Sequence, residues 1–240
     1  MASMWRVSLL LAAVSLWCGC ATVHIDPALY QAKTIAVASI FARKNIDFDN
    51  LAVAPTLLDN DYGAEVLEME LGDAEARLSE IFGVEVMPAG KAMQAKAYRD
   101  LPESAPSEDW TRVNDMIAVD VDNPTAAAAL GELALSLGVD AVIVVRHEWA
   151  LSRARFDPGT ESVTAFDKCS LLVVDKGGRK LWDDVVISRI PGDSISAGAF
   201  VVGLNGGTWA DEARQLARRA SREALDNIAR RYRDARGKKP

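Results

Sequence analysis

The sequence predicts an α/β protein: a mixed β-sheet packed against helices, an α/β sandwich, as a single domain after an N-terminal signal peptide. Three observations predict it. Short apolar runs rich in β-branched residues alternate with longer segments whose apolar residues recur at helical spacing. Two strand-like runs, 161–175 and 179–188, flank Lys176-Gly177-Gly178, where glycine supplies the positive φ of a tight reversal. A long amphipathic segment then closes the chain. The 240 residues are 50% hydrophobic and 25% charged, an ordinary globular composition and enough chain for one sizeable core.

The start of the chain carries an address. Arg6 is the only charged side chain before Asp26, and Val7 to Trp17 are apolar. That stretch is too short for a spanning helix, which needs about 20 apolar residues. Gly19 directly precedes Cys20, and the arrangement resembles the lipobox of bacterial lipoprotein signals, which are cut before a cysteine whose sulfur carries lipid. The expected organisation is a signal peptide over 1–19, a lipidated tether over 20–32, an α/β domain over 33–236 and a basic tail over 237–240. The competing reading, a short uncleaved anchor, is weakened by Ser8, Ser15, Gly19 and Thr22. Cys18 leaves with the leader and Cys20 is blocked by lipid. Cys169 then stands alone in the strand-like run 168–174, read as a small buried hydrophobe with no disulfide partner.

The elements follow in order. Residues 34–40 read as a buried strand. Leu67, Leu71, Ala74, Leu78 and Phe82 form one helical stripe with acidic residues on the other faces, and Gly83 is its left-handed stop. Residues 84–87 read as a strand ended by Pro88. Ser107 is placed as the cap of a short helix through Asp115. Asn123-Pro124 is read as a helix start, Leu130, Leu133, Ala134 and Leu137 as its stripe and Gly138 as its end. Residues 141–145 are a further buried strand. Residues 191–207, rich in Gly and Ser, connect to a last helix over about 209–234, with Leu216, Ala220, Ala224, Ile228 and Tyr232 on one stripe.

Three segments together carry a resemblance: the lipobox with the strand at 34–40, Leu130-Gly131-Glu132 through Gly138-Val139-Asp140-Ala141, and Leu171 through Asp175-Lys176-Gly177-Gly178 to Leu181-Trp182. The chain resembles a broad set of envelope lipoproteins. The set includes the curli-secretion channel subunit, the outer-membrane activator of penicillin-binding proteins and a neisserial surface lipoprotein family. The resemblance implies a non-enzymatic binding and assembly scaffold. Physically, Gly138 stops a helix, Asp140 bonds the turn into the sheet, Asp175 and Gly177 shape a hairpin, and Trp182 gives an amphipathic strand a large apolar body. Channel-forming members cross the membrane with long alternating strands of about ten residues, and no such strands are read from this sequence.

Little chemistry is legible. A metal site needs several converging ligands; His24 sits in the tether and His147 ends a strand, so no metal and no cofactor is expected. Gly192-Asp193-Ser194-Ile195 reads as a turn with a polar cap, since no histidine follows it. The mature chain of 221 residues carries a net charge of −8, which argues against a nucleic-acid partner. Residues 209–240 are +5 within it, and Arg218, Arg219 and Arg222 are read as outward-pointing candidates for partner binding. No catalytic residue is assigned.

The expectation is a non-enzymatic lipoprotein, anchored through Cys20 to the outer membrane and facing the periplasm. Ala21 stands where an Asp would retain such a protein in the inner membrane. The expected partner is an envelope protein or a second copy of the chain. The alternatives are a subunit of an oligomeric secretion or export complex, and an envelope hydrolase built around His147 or Ser194.

Overall fold

In the computed structural model the described residues are 24–44, 47–49, 62–105, 110–112, 116–157, 160–196 and 208–237. The strands are β1 (Thr34–Arg43), β2 (Asp47–Asp49), β3 (Glu85–Met87), β4 (Trp110–Arg112), β5 (Ala141–Asp157), β6 (Thr160–Asp175) and β7 (Lys180–Ser196). The helices are α1 (Tyr62–Phe82), the single turn α2 (Ala89–Ala92), α3 (Ala126–Leu137) and α4 (Thr208–Gly237). Two short 3-10 turns, Pro27–Gln31 and Lys96–Asp100, complete the described set.

The strands form one sheet in the order β3-β1-β5-β6-β7, with β2 beside β5 and β4 beside β1. β1 runs parallel to β3 and β5, whereas β5, β6 and β7 are antiparallel in turn. The sheet is therefore mixed, and helices cover both faces. α1 and α4 pack on Ile35, Val37, Ile143, Val145, Leu171 and Val173. α3 and the segment around Tyr98 to Val119 pack on Ala36, Ala38, Val142, Val144, Leu172 and Val174. Burial on both faces is what the apolar run of β1 encodes. A register shift between Val37 and Ser39 inserts one residue, so Ile40 and Ala42 return to the face of Ile35 and Val37.

Asp140 joins two strand starts. Its carboxylate accepts from the backbone of Lys33 (2.8 Å) and Thr34 (3.3 Å), 107 and 106 residues away. The Lys33 amide is the main reason that its pKa lies below the ordinary carboxylate range. The Asp175 Oδ1 holds the hairpin turn, accepting from the amides of Gly177 and Arg179, both at 2.9 Å. Gly83, Gly138 and Gly178 adopt positive φ, so both helix stops and the hairpin turn are where the sequence places them.

Several expectations are corrected. Residues 110–112 are a strand that closes antiparallel onto the end of β1, not part of a helix capped by Ser107; Ser107 and Asp115 lie outside the described residues. α3 begins at Ala126, because Asn123 closes a turn over Thr125 (2.9 Å) before the helix starts. Residues 25–31, expected in the tether over 20–32, pack on the domain. Ile25 bridges Trp182, the Asp26 amide donates to Leu181 O at 2.8 Å, and Leu29 is buried. Tyr30 packs on Tyr232, which meets Phe82 and stacks on Trp182. Apolar and aromatic contacts thus bring residues 25–31 into the domain. The last expectation corrected is strand length. β6 matches the expected 161–175 to within one residue, but β5 and β7 have 17 residues each; β5 runs on past Val145, and β7 continues through Pro191 and Gly192.

Candidate functional site

The long pairing of β5 with β6 brings together residues that sequence separates. His147 lies opposite Cys169, and Asp167 is two residues along β6 on the same face. That face looks toward α4. The His147 Nδ1 is 2.7 Å from Asp167 Oδ2, and a suitable ligand atom from each of the three residues lies within 4.8 Å of the others. All three are buried, with His147 at 2% exposure and Asp167 and Cys169 at 0%.

Neighbours fix the cluster in place. The imidazole stacks on Trp149, with centroids 5.8 Å apart and planes at 11°. Trp149 Nε1 donates to Ser221 Oγ on α4 at 2.8 Å, and Ser188 Oγ donates to Ala220 O at 2.7 Å. α4 sits close because Ala217, Ala220, Ser221 and Ala224 are small. On the same flank Asp184 Oδ1 accepts from Arg231 at 2.7 Å. Among the described residues Asp167 Oδ1 and Asp184 Oδ2 are buried without hydrogen-bond partners.

The electrostatics follow from burial. Desolvation disfavours the imidazolium, but the Asp167 carboxylate and the Cys169 sulfur outweigh it, and the pKa of His147 lies well above its ordinary value. Burial pushes the Cys169 thiol up, with His147 acting against it. The raised values favour a protonated imidazole and an intact thiol in the buried cluster. A thiol, an imidazole and a carboxylate are the parts of a nucleophilic triad. Here all three are buried on the face that α4 covers.

Sequence reasoning treated His147 and Cys169 separately and did not single out Asp167. The available signal was the hairpin register: residues 147 and 169 face each other only once β5 and β6 are read as one long hairpin. Ser194 pairs with Ser162 instead, seven residues along β6 from the partner of His147, or about 23 Å at strand spacing. The structure does not bring the two hydrolase candidates together.

The candidate docking arginines have other neighbours. Arg218 pairs with Glu70 and, at 2.9 Å, with Asp73; Arg222 reaches Asp73 at 2.5 Å and Glu70 at 3.7 Å. Glu70, one of the acids off the apolar stripe of α1, is buried and pairs with α4. Burial raises its pKa against the opposing effect of Arg218. Arg218 and Arg222 therefore pair with acids of α1, Arg222 from an exposed position. Arg219 is exposed. A groove of about 330 Å³ between the two helices is lined by Glu70, Asp73, Arg77, Glu80, Arg222 and Asp226, and Arg77 pairs across it with Asp226. Cys20 lies outside the described residues. Among those described, no helix is long and apolar enough to cross a membrane.

No protein-family model matches the chain, and no curated protein does. Solved structures are similar to it at low scores. The lipoprotein GNA1162 from Neisseria meningitidis shares 16% identity at a TM-score of 0.38, over 75% of this chain and 99% of that one. The hypothetical protein CT253 from Chlamydia trachomatis shares 12% at 0.37, over 83% and 97%. The LpoB C-terminal domain from Salmonella enterica shares 8% at 0.28, over 73% and 90%.

Proposed function

We propose that this chain is a lipid-anchored envelope lipoprotein whose α/β domain works as a non-enzymatic binding or assembly module on the periplasmic side of the outer membrane. The observation that carries the reading is Gly19-Cys20 at the end of a short, nearly uncharged leader. A second feature fits it. Ile25, five residues after Cys20, already bridges Trp182, so the intervening chain reaches about 17 Å at most and the domain would ride against the membrane. Burial of the Cys169, His147 and Asp167 set under α4 supports the non-enzymatic half of the reading. The exposed edge strand β7, with Val185 at 45% and Ile187 at 66% exposure, supports the binding half.

Cys20→Ala tests the anchor. The variant should remain an uncleaved or unlipidated precursor and leave the detergent-soluble membrane fraction. Three acyl chains anchor far more firmly than one, at ~0.8 kcal/mol per buried CH₂. A mature N-terminus away from Cys20 with no lipid, read by mass spectrometry, removes the lipoprotein reading. Fractionation of inner from outer membranes tests the address that Ala21 implies.

A further inference from the structure

We propose that His147, Asp167 and Cys169 form a closed structural site for one divalent cation of the zinc class, buried between the sheet and α4. The site does not depend on the lipid anchor.

The donor set points to the metal. An imidazole nitrogen with a thiolate sulfur suits borderline-soft zinc and not calcium or magnesium, which prefer all-oxygen shells. His147 and Cys169 are cross-strand neighbours and Asp167 is next along the same face, so rigid β backbone carries all three. The second, independent observation is Asp167 itself: it is fully buried, and its Oδ1 has no hydrogen-bond partner among the described residues. A buried carboxylate oxygen without a partner is costly. Bidentate coordination gives that oxygen a partner and completes four donors with the sulfur and one nitrogen. Three residues then supply four donors, where the commoner structural zinc sites use four Cys or His residues.

The three ligand atoms lie within 4.8 Å of one another, and the imidazole–carboxylate pair must open to admit an ion. The nitrogen and oxygen now lie 2.7 Å apart; around zinc, donors of this kind stand about 3.3 Å apart, so the pair opens by about 0.6 Å. Trp149, held by Ser221, stacks on the ring and fixes its plane.

Charge balances. Without metal the cluster holds an imidazolium, a carboxylate and a neutral thiol, with a net charge of zero. On loading, the thiol proton and the imidazolium proton leave as the divalent cation enters. Neutral imidazole, thiolate, carboxylate and cation again sum to zero, and no redox partner is needed. Asp184 and its partner Arg231 flank the site and keep their own pairing. Because α4 covers the cluster, the ion loads as the chain folds.

The test uses the full chain with Cys18→Ala and Cys20→Ala, which leaves Cys169 as its one thiol. The protein is refolded with zinc, with cobalt(II), or with chelator alone. The expected results are one zinc per chain by elemental analysis after gel filtration, a thiolate-to-cobalt charge-transfer band, and a higher melting temperature than the chelator sample. Adding Cys169→Ser or Asp167→Asn should abolish the band and the stoichiometry, while Ser188→Ala, which leaves the donors untouched, should keep both. Failure of the first two variants to fold would leave the zinc content and the cobalt band of the parent as the deciding readouts. Folded parent protein with neither zinc nor the cobalt band would overturn the site and leave an ion pair in the core. Retention of zinc by folded Cys169→Ser would equally overturn it.

Discussion

Gly131 in α3 and Gly178 in the turn between β6 and β7 are in backbone contact: a Cβ on Gly131 would stand 2.5 Å from the Gly178 nitrogen and 2.7 Å from its Cα. A mid-helix glycine costs about 1 kcal/mol relative to alanine, and here that cost allows the hairpin to seat on the helix. Two of the sequence segments singled out for their motifs therefore meet in space. Gly131→Ala should destabilise the fold by about 1–3 kcal/mol despite the better helix former, because backbone on both sides must move. Urea denaturation checks it; a stability equal to or above that of the unmodified chain would show that the hairpin seats elsewhere.

The pairing between α1 and α4 gives the second prediction. Arg218→Glu sets a third acid beside Glu70 and Asp73 and leaves the buried Glu70 without its main partner. The expected loss is about 3 kcal/mol. Arg219→Glu, at an exposed position, should change stability by no more than about 0.5 kcal/mol. A triple reversal of Arg218, Arg219 and Arg222 is consequently a poor probe of docking, since it disturbs the fold first. Arg219→Glu is the clean probe. Any loss of association that it causes should fade in high salt, where the screening length drops from about 10 Å at 0.1 M to about 3 Å at 1 M. Sedimentation at both salt levels reads this out.

What was legible in the sequence was local. The stripe Leu216, Ala220, Ala224, Ile228 and Tyr232 is buried throughout, and Gly83, Gly138 and Gly178 sit at the positive φ that their positions demanded. Strand ends were harder. β5 past Val145 carries Arg146, Glu148, Arg153 and Arg155, which break the apolar run used to recognise it. Its pairing with β6 carries it to Asp157 all the same. Losing that length hid the register, and with it the meeting of His147, Asp167 and Cys169. Glu70 was missed for a related reason: an acid between apolar positions reads as surface until the arginines of a helix about 150 residues away are placed beside it. The Asp140 link was half legible. Its turn role was expected, but its reach back to Lys33 needed the parallel pairing of β1 with β5.

His147 makes stability depend on pH. In the unfolded chain the imidazole titrates near ~6.5, and in the fold its pKa lies well above that. A raised pKa contributes stability that is complete below the unfolded value and is lost as pH rises through the folded one. Metal-free protein should therefore grow less stable as pH rises above about 6.5. The Cys169 thiol, also raised, adds in the same direction only above about 8.5. Denaturation of chelator-treated protein between about pH 6 and 8 isolates the imidazole. His147→Gln should flatten the slope in that window, and an unchanged slope would assign the titration to another group.

The exposed edge of the sheet makes the last prediction. β7 ends the strand order, and among the described residues Ile25 bridges it only at Trp182. Past that point Val185 and Ile187 face outward at 45% and 66% exposure, while Val186 and Ser188 between and beside them are buried. Soluble proteins protect long edges with charge, especially lysine; here exposed Asp183 and Arg189 flank two apolar residues on the outer face. If that edge is the assembly surface, Val185→Lys with Ile187→Lys should remove the crosslinked species formed by the wild type in membranes. The change in fold stability should stay near 0.5 kcal/mol, because neither side chain packs in the core. Crosslinking after mild treatment of intact cells, paired with a melting curve of the purified variant, measures both. An unchanged crosslinking pattern in a stably folded variant would move the binding surface away from β7.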